Sequence, residues 1–301
     1  MANITSTVAA PFLPTIWAQR ALSVLRANIV LAKLCARDVD FEPGWVGQQL
    51  NIPYPGTFVA TDKVANTLVG ISTPTGGTTV NVTLNKHKTV DVIIEDYANA
   101  QANENMMDRY VVPMTIALAQ QLETDLLANY ANLTNTVGTS GTNVTAATVQ
   151  AALQNLDTNL APMSDRALII SPKDKISLLQ DSTLQTYFAF SEQQAIRQGA
   201  IGNLFGFDTY MSQLIPVVTG TPNSTKNLAI HKESILLAMR PFREPPSDSG
   251  VKVSSLVDPE SGLAIRVLYQ YDINNRGIHL AFDILYGTVA LRPGVGCVVL
   301  S

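Results

Sequence analysis

Residues 89–131 read TVDVIIEDYANAQANENMMDRYVVPMTIALAQQLETDLLANYA, and this stretch is the strongest guide to the architecture of the chain. Its first part, 89–95, is rich in β-branched residues and predicts a strand. From about Asp96 to Ala131 the apolar residues recur at helical spacing, which predicts a helix of roughly 30 or more residues, about 45–50 Å long. Pro113 is expected to kink or interrupt this helix, because its ring removes a hydrogen-bond donor and clashes with the preceding turn.

A second amphipathic helix is predicted near the start of the chain, from about Thr15 to Ala36. Its apolar face is formed by residues at helical spacing, namely Ala18, Leu22, Leu25, Ile29 and Ala32. The pair Pro43-Gly44 ends this part of the chain.

Residues 45–95 are predicted to be extended, because prolines and glycine pairs punctuate them. The turn 73–78 joins two alternating runs, Thr67–Thr73 and Thr78–Leu84, which predict a hairpin. No charged residue lies between Val64 and Leu84. An isolated hairpin is marginal in water and an uncharged edge invites pairing, so we expect another surface to cover it.

The rest of the chain predicts mixed helix and strand structure, followed by strands alone. Thr145 is expected to cap a helix 146–160, and Ser171-Pro-Lys-Asp174 to open another. A short buried strand, 166–170, lies between them, and a further helix is predicted near 192–198. The last predicted strands are 251–257, 263–272, 278–286 and 288–291.

Composition excludes several classes of protein. The chain has 301 residues, of which 46% are hydrophobic and 15% are charged, and its net charge is −4. These values do not fit a disordered chain or a basic nucleic-acid-binding module. The charged fraction lies below the usual value of about 25%, so we expect a membrane or partner subunits to cover part of the surface. No run reaches the roughly 18 consecutive apolar residues of a membrane helix, which leaves partner subunits.

The N-terminus shows no secretory signal, because residues 1–10 contain no basic residue and no apolar block precedes a cleavage site. We therefore expect a protein that is made and kept in a reducing cytoplasm. Its cysteines, Cys35 and Cys297, lie in regular helix and strand patterns and are interpreted as buried thiols.

No pattern predicts a catalytic residue, a cofactor site or a metal site. The histidines lie far apart in the sequence and lack the spacing of metal ligands, and the glycines at 199, 202 and 206 match no nucleotide-binding loop. The acidic pair Glu95-Asp96 suits a helix start, and Glu123 with Asp125 is interpreted as part of a polar helix face. We therefore expect a protein that is not an enzyme.

Four segments, in this order and spacing, carry a family resemblance: FLPTIW at 12–17, VDVIIEDY at 90–97, GAIGNLFGF at 199–207 and LAIH at 228–231. The chain resembles the major capsid proteins of tailed bacteriophages, which have the Hong Kong 97 fold, and within them the coat-protein-like branch with a helical N-terminal arm. The resemblance spans nearly the whole chain.

The resemblance implies an α+β fold with a defined division of the chain. Residues 1–43 would form the N-terminal arm, and 44–86 the extended loop that lies across a neighbouring subunit. Residues 87–144 and 252–301 would form the peripheral domain, with the long helix as its spine. Residues 145–251 would form the axial domain, which gathers around five-fold and six-fold axes.

The resemblance also implies a function and partners. A chain of this family would self-assemble, as pentamers and hexamers, into an icosahedral shell around the double-stranded DNA genome of a tailed bacteriophage. It would be found in the virion capsid after assembly in the host bacterial cytoplasm. A separate scaffolding protein and a portal are implied, and packaged DNA would be contacted weakly and without sequence preference.

Six residues of the arm and loop are predicted to contact neighbouring subunits: Trp17, Arg20, Arg26, Lys63, Val80 and Val82. Lys63 is the only lysine between Gly44 and Asn85, and no asparagine partner for it is evident, so covalent cross-links between subunits are not expected. Two alternatives stay open at this point. One is an encapsulin-like compartment shell that encloses an enzyme cargo, and the other is an α/β enzyme.

Overall fold

The computed structural model describes residues 13–37, 49–54, 58–68, 76, 78–97, 106–182, 184, 202–242, 244–246, 250–257 and 263–301. Its helices are α1 (Leu13–Asn28), α2 (Leu31–Leu34), α3 (Met106–Leu127), α4 (Ala146–Thr158) and α5 (Pro172–Gln180). A 3₁₀ helix, Ala128–Asn132, directly continues α3. The predicted helix near 192–198 lies outside the described residues.

The strands form two larger sheets and a hairpin. They are β1 (Ala36–Arg37), β2 (Gln49–Tyr54), β3 (Thr78–Thr83), β4 (Lys86–Glu95), β5 (Asn135–Gly138), β6 (Arg166–Ile170), β7 (Asn203–Leu204), β8 (Phe207–Met211), β9 (Val217–Val218), β10 (Ser224–His231), β11 (Ile235–Arg240), β12 (Lys252–Val257), β13 (Ala264–Asp272), β14 (Gly277–Ala290) and β15 (Gly296–Leu300).

The first sheet is built around the long strand β14. This strand pairs with β4 along 277–286, with β13 along 277–283 and with β11 along 285–290. The sheet is completed by β12, next to β13, and by β1, next to β11. Alternate residues of β14, among them Leu280 and Phe282, enter the main hydrophobic core together with α1 and α3. One face of the sheet is therefore covered by the two helices.

The second sheet has the order β5-β15-β10-β6-β8-β7, with β9 at the end of β10. Both of its faces are buried. In β6, Ala167 and Ile169 join the main core, whereas Leu168 and Ile170 join a second core with α4 and α5. This explains why every residue of β6 is buried, and the shared main core joins the two sheets into one body.

Local sequence patterns predict many of these elements correctly. Thr145 caps α4 by accepting a hydrogen bond from the amide of Thr148, and Ser171 caps α5 in the same way through the amide of Asp174. Both predicted thiols, Cys35 and Cys297, are buried. Pro113 lies inside the long helix α3, which is not interrupted there.

Three predictions differ from the structure. The predicted helix 15–36 is two helices, because the chain breaks at Ile29–Val30. Strand β3 pairs with β2, with Ile52 opposite Val80, and not with the run 67–73. Thr67 and Leu68 lie outside strands, and residues 69–73 lie outside the described residues.

The predicted domain boundaries also differ from the division between sheets. β11 lies in the predicted axial segment but belongs to the sheet of β14. β5 and β15 lie in the predicted peripheral segments but belong to the second sheet. The reason is that strand pairing over long sequence distances decides which sheet a strand joins, and no local pattern encodes it.

Candidate intersubunit surface

The hairpin β2–β3, at the base of the predicted extended loop, packs on the face of the first sheet opposite α1 and α3. Val82 is 1% exposed and forms a small core with Leu236, Ala238 and Leu291. The backbone of Thr83 approaches Gly287 so closely that a Cβ atom there would overlap the Thr83 carbonyl oxygen. The hairpin is therefore a fixed part of the subunit.

The segment 58–68 beyond this base is exposed at every residue. Its apolar side chains Phe58, Val59, Val64 and Leu68 are 67%, 73%, 63% and 98% exposed. Large apolar side chains clustered on a surface usually mark a binding site. This segment is the candidate intersubunit surface.

A turn within the segment holds Lys63 against the backbone. The Nζ atom of Lys63 donates a hydrogen bond of 2.8 Å to the carbonyl oxygen of Val64, and a second one to that of Thr67. The hydroxyl of Thr67 donates to the same Val64 oxygen at 2.7 Å, and Asn66 adopts a left-handed backbone conformation at φ 61°. These hydrogen bonds lie within the segment itself, and the side chains of Val64 and Leu68 are exposed beside the turn.

The six predicted contact residues lie in different environments. Arg20 and Lys63 are exposed, and Val80, in β3, is half-buried against the small core of Val82. The side chain of Arg26 lies outside the described residues. Trp17 is 2% exposed and packs against Tyr269, with ring centroids 5.7 Å apart. Trp17 and Val82 are covered by their own chain, and the intersubunit contacts of the six residues stay predictions.

Glu123 is a residue whose environment the sequence interpretation missed. The sequence predicts Glu123 on a polar helix face, but its side chain is 1% exposed. Its carboxylate accepts hydrogen bonds from the amides of Val30 and Leu31, between α1 and α2. The sequence did contain a hint, because Glu123 lies four residues from both Ala119 and Leu127, which belong to the buried stripe of α3.

Burial raises the pKa of Glu123 above its ordinary value, and the amide donors and the charge of Lys33 offset only part of this effect. The neighbouring Cys35 thiol is also affected by burial, which raises its pKa to about 12. A thiol in this state is not a nucleophile at neutral pH. The junction between residues 29–35 and α3 is therefore a packed and hydrogen-bonded contact.

A cleft of about 310 Å³ lies on the face of the first sheet opposite α1 and α3. Arg266 donates from Nε to Asp283 at 3.0 Å, and Nε2 of His87 lies 3.3 Å from the same carboxylate. The ring of Phe242 packs over both, 4.1 Å from the Arg266 guanidinium carbon and 4.5 Å from the His87 ring. His279 lines the cleft with Asp91 as its partner at 3.7 Å. The charges of this cleft are paired within the subunit.

Within the described part of the chain, no group of His, Cys, Asp and Glu side chains could hold a metal ion. A search of the same residues for a helix with the length and apolar character of a membrane span found none.

A family model described as phage capsid protein matches residues 58–263, which is more than half of the chain. The chain belongs to the phage capsid protein family. The match includes the exposed segment 58–68, the long helix α3 and the strands β3 to β12.

Solved structures show the same fold at low sequence identity. A chain from Mycobacterium phage Che8 is 17% identical with a TM-score of 0.64, and 90% of each chain is covered. The capsid of cyanophage P-SCSP1u is 16% identical with a TM-score of 0.65, covering 90% of this chain and 87% of that chain. The acid-stable capsid of Helicobacter pylori bacteriophage KHP30 is 10% identical with a TM-score of 0.66, covering 90% and 88%. No curated protein matches this chain.

These findings confirm the α+β, Hong Kong 97-type capsid fold and the identification as the major capsid protein of a tailed phage. The protein is a structural protein of the virion capsid, whose shell is a multimer of one protein. The encapsulin-like compartment shell and the α/β enzyme are not favoured, since the family match is to phage capsids.

Proposed function

We propose that this capsid protein builds an icosahedral shell of pentamers and hexamers in which the segment 58–68 of each subunit packs on a neighbour. The observation that carries the proposal is the exposure of Phe58, Val59, Val64 and Leu68 in one short segment. Burying one such side chain contributes about 1.5–3 kcal/mol, so four of them are enough to favour a stable contact.

The charge of the segment supports an apolar docking surface on the neighbour. Asp62 and Lys63 are its charged residues and cancel each other. Since a closed shell repeats each contact at every subunit, the contribution of this contact adds up over the whole assembly. Arg20, on the exposed side of α1, is a second proposed contact.

The proposal assigns roles to the parts of the chain. The arm and the extended loop, 1–43 and 44–86, connect subunits. The first sheet with α3 serves as the peripheral domain, and the second sheet with α4 and α5 serves as the axial domain around the symmetry axes. The boundary between these domains follows the sheets, so β11 belongs with the peripheral part and β15 with the axial part.

The proposed partners are other copies of the chain, a separate scaffolding protein, a portal and the packaged double-stranded DNA of a tailed bacteriophage. Assembly takes place in the cytoplasm of the host bacterium, and the shell acts without catalysis. Subunits are held without covalent cross-links, since Lys63 is engaged by the backbone of its own turn.

The test replaces the four apolar side chains and keeps the fold. Removing residues 67–84 would be a poor test, because it deletes β3 and exposes the pocket that Val82 fills. We therefore specify the variant Phe58→Ser, Val59→Thr, Val64→Thr and Leu68→Ser. The matched control, Val59→Ile with Leu68→Met, keeps the segment apolar.

We expect the polar variant to retain the wild-type circular dichroism spectrum and to sediment as free subunits or small oligomers. The control should form closed shells of uniform size, visible by electron microscopy. Closed shells from the polar variant at wild-type yield would contradict the proposed contact.

A further inference from the structure

The arm contacts the long helix through apolar packing and through one buried carboxylate, that of Glu123. The chain turns between the end of α1 and Leu31, which leaves amide groups at the start of α2 without partners in the helix. The carboxylate of Glu123, on α3, accepts hydrogen bonds from these amide groups. Its Oε1 accepts from the Leu31 amide at 2.8 Å, and its Oε2 accepts from Leu31 at 3.1 Å and from Val30 at 3.3 Å.

The surroundings of this carboxylate are apolar. Ile29, Leu31 and Ala32 are each at most 1% exposed and belong to the main core, as do Leu122 and Leu126 on α3. A buried carboxylate is costly unless hydrogen bonds compensate it, so the arm and Glu123 need each other.

Few other charged or titratable groups act at this junction among the described residues. Lys33, exposed on α2, acts on Glu123, and both Arg37 and Glu123 act on the Cys35 thiol. Arg37 itself donates from Nε to the carbonyl oxygen of Ala32 at 2.8 Å. The hydrogen bonds to the Glu123 carboxylate come from the backbone amides of Val30 and Leu31.

We propose that Glu123 is the positioning residue of the N-terminal arm, and that its ionisation sets how tightly residues 29–35 dock on α3. The docking itself is a property of one subunit. Its consequence for shell assembly rests on the proposed function, in which the arm connects subunits.

The direction of the pH effect follows from the burial of the group. Docking raises the pKa of Glu123, mainly by desolvation, so the protonated form favours the docked arm. Docking is therefore strongest at acid pH and weakens as the pH rises through the raised pKa. Between the ordinary and the raised pKa, each pH unit weakens docking about tenfold.

Cys35 provides a reporter for the position of the arm. It is 1% exposed, belongs to the main core and lies directly after α2, so we expect a thiol reagent to reach it only when this part of the chain separates from the core. The chain has two cysteines, and Cys297→Ala leaves Cys35 as the single thiol. The experiment measures the reaction of Cys35 with a pyridyl disulfide from about pH 5 to about pH 8. The protection of Cys35 is the reaction rate of the urea-unfolded chain divided by that of the folded protein at the same pH. This ratio removes the pH dependence that comes from ionisation of the thiol itself.

We expect the protection of Cys35 to decrease with rising pH in the Cys297→Ala protein. Glu123→Gln keeps an acceptor oxygen without a charge, so its protection should be independent of pH. Glu123→Ala leaves buried amides without partners, and its protection should be at least about tenfold lower at every pH. The matched control Glu95→Gln, at an exposed glutamate, should follow the unsubstituted profile.

Protection that does not change with pH, or a Glu123→Gln protein with the same pH profile as the parent, would overturn the proposal. If Glu123→Ala does not fold, these two profiles still decide the question. The labelling uses the full chain and needs no shells. A pH-dependent arm in a protein that never forms shells would leave this inference intact and contradict the proposed function.

Discussion

The phenolic oxygen of Tyr286 donates a 2.7 Å hydrogen bond to Oδ2 of Asp125, and this bond ties β14 to the long helix α3. Lys86 and Lys88 of β4 reach the same oxygen at 3.3 Å and 3.8 Å. Burial by itself raises the pKa of Asp125, but the hydrogen bond from Tyr286 and the two lysines outweigh it, so that the pKa lies below its ordinary value. One carboxylate thus connects the spine helix to two neighbouring strands.

Removing the phenolic oxygen should loosen this connection. Tyr286→Phe keeps the buried ring and loses the hydrogen bond, so we expect the free energy of unfolding of the subunit to fall by about 1–2 kcal/mol in urea. Tyr210→Phe, at an exposed tyrosine of β8, is the control and should change it by much less. Equal midpoints for the two variants would contradict a structural role for the Tyr286 hydrogen bond.

The same carboxylate predicts a loss of stability in acid. Because the folded pKa of Asp125 is lowered, its stabilising effect is complete above the ordinary aspartate pKa and disappears as the pH falls through the folded value. Urea unfolding between about pH 6 and about pH 3 should show a smaller acid-induced loss for Asp125→Asn than for the wild type. Parallel pH profiles for the two proteins would show that Asp125 does not contribute.

Gly287 should be required for the hairpin β2–β3 to pack against β14 of the same subunit. The backbone of Thr83 occupies the space where a side chain at 287 would begin, so Gly287→Ala must displace β3. We expect a loss of about 1–3 kcal/mol in unfolding free energy, together with faster hydrogen exchange of the β2–β3 amides. The control is Gly294→Ala, whose added carbon would lie 3.8 Å from Asn159. If both variants exchange alike, the close approach at Gly287 is not important.

The ion pair of Arg266 with the buried Asp283 should contribute far more to stability than an exposed pair. Asp283 is 2% exposed, and Arg266→Met would leave its carboxylate without its main partner, at a cost of about 3–5 kcal/mol. The exposed pair of Arg292 with Glu233, 2.7 Å apart, provides the comparison. Arg292→Met should cost about 1 kcal/mol or less. Thermal unfolding of both variants measures the difference, and similar losses would refute the importance of burial here.

Free subunits should bind DNA weakly and without sequence preference. The net charge of −4 opposes binding to phosphate, and the basic residues of the arm are few. Contacts of this kind are lost at about 150 mM salt. Fluorescence anisotropy with duplexes of different sequence should show no preference, and a sequence-selective complex that survives this salt concentration would be evidence against the prediction.

The amino-acid sequence by itself determined the elements whose causes are local. Thr145 and Ser171 cap their helices through residues three positions away, and the apolar stripe that includes Ala119 and Leu122 marks the face that α3 buries. The shortage of charge predicted a surface covered by partners, and the order of the elements predicted the capsid fold, which the family match confirmed.

Only the tertiary structure decided which strand pairs with β3, which sheet β15 joins, and that Glu123 and Val82 are buried. Each of these depends on residues far away in the sequence: Glu123 on Leu31, and Val82 on Leu236. Periodicity shows which face of an element is apolar, but it does not show which surface covers that face. A polar side chain on a buried face is stable only where distant backbone groups meet it, and the folded chain alone places them there.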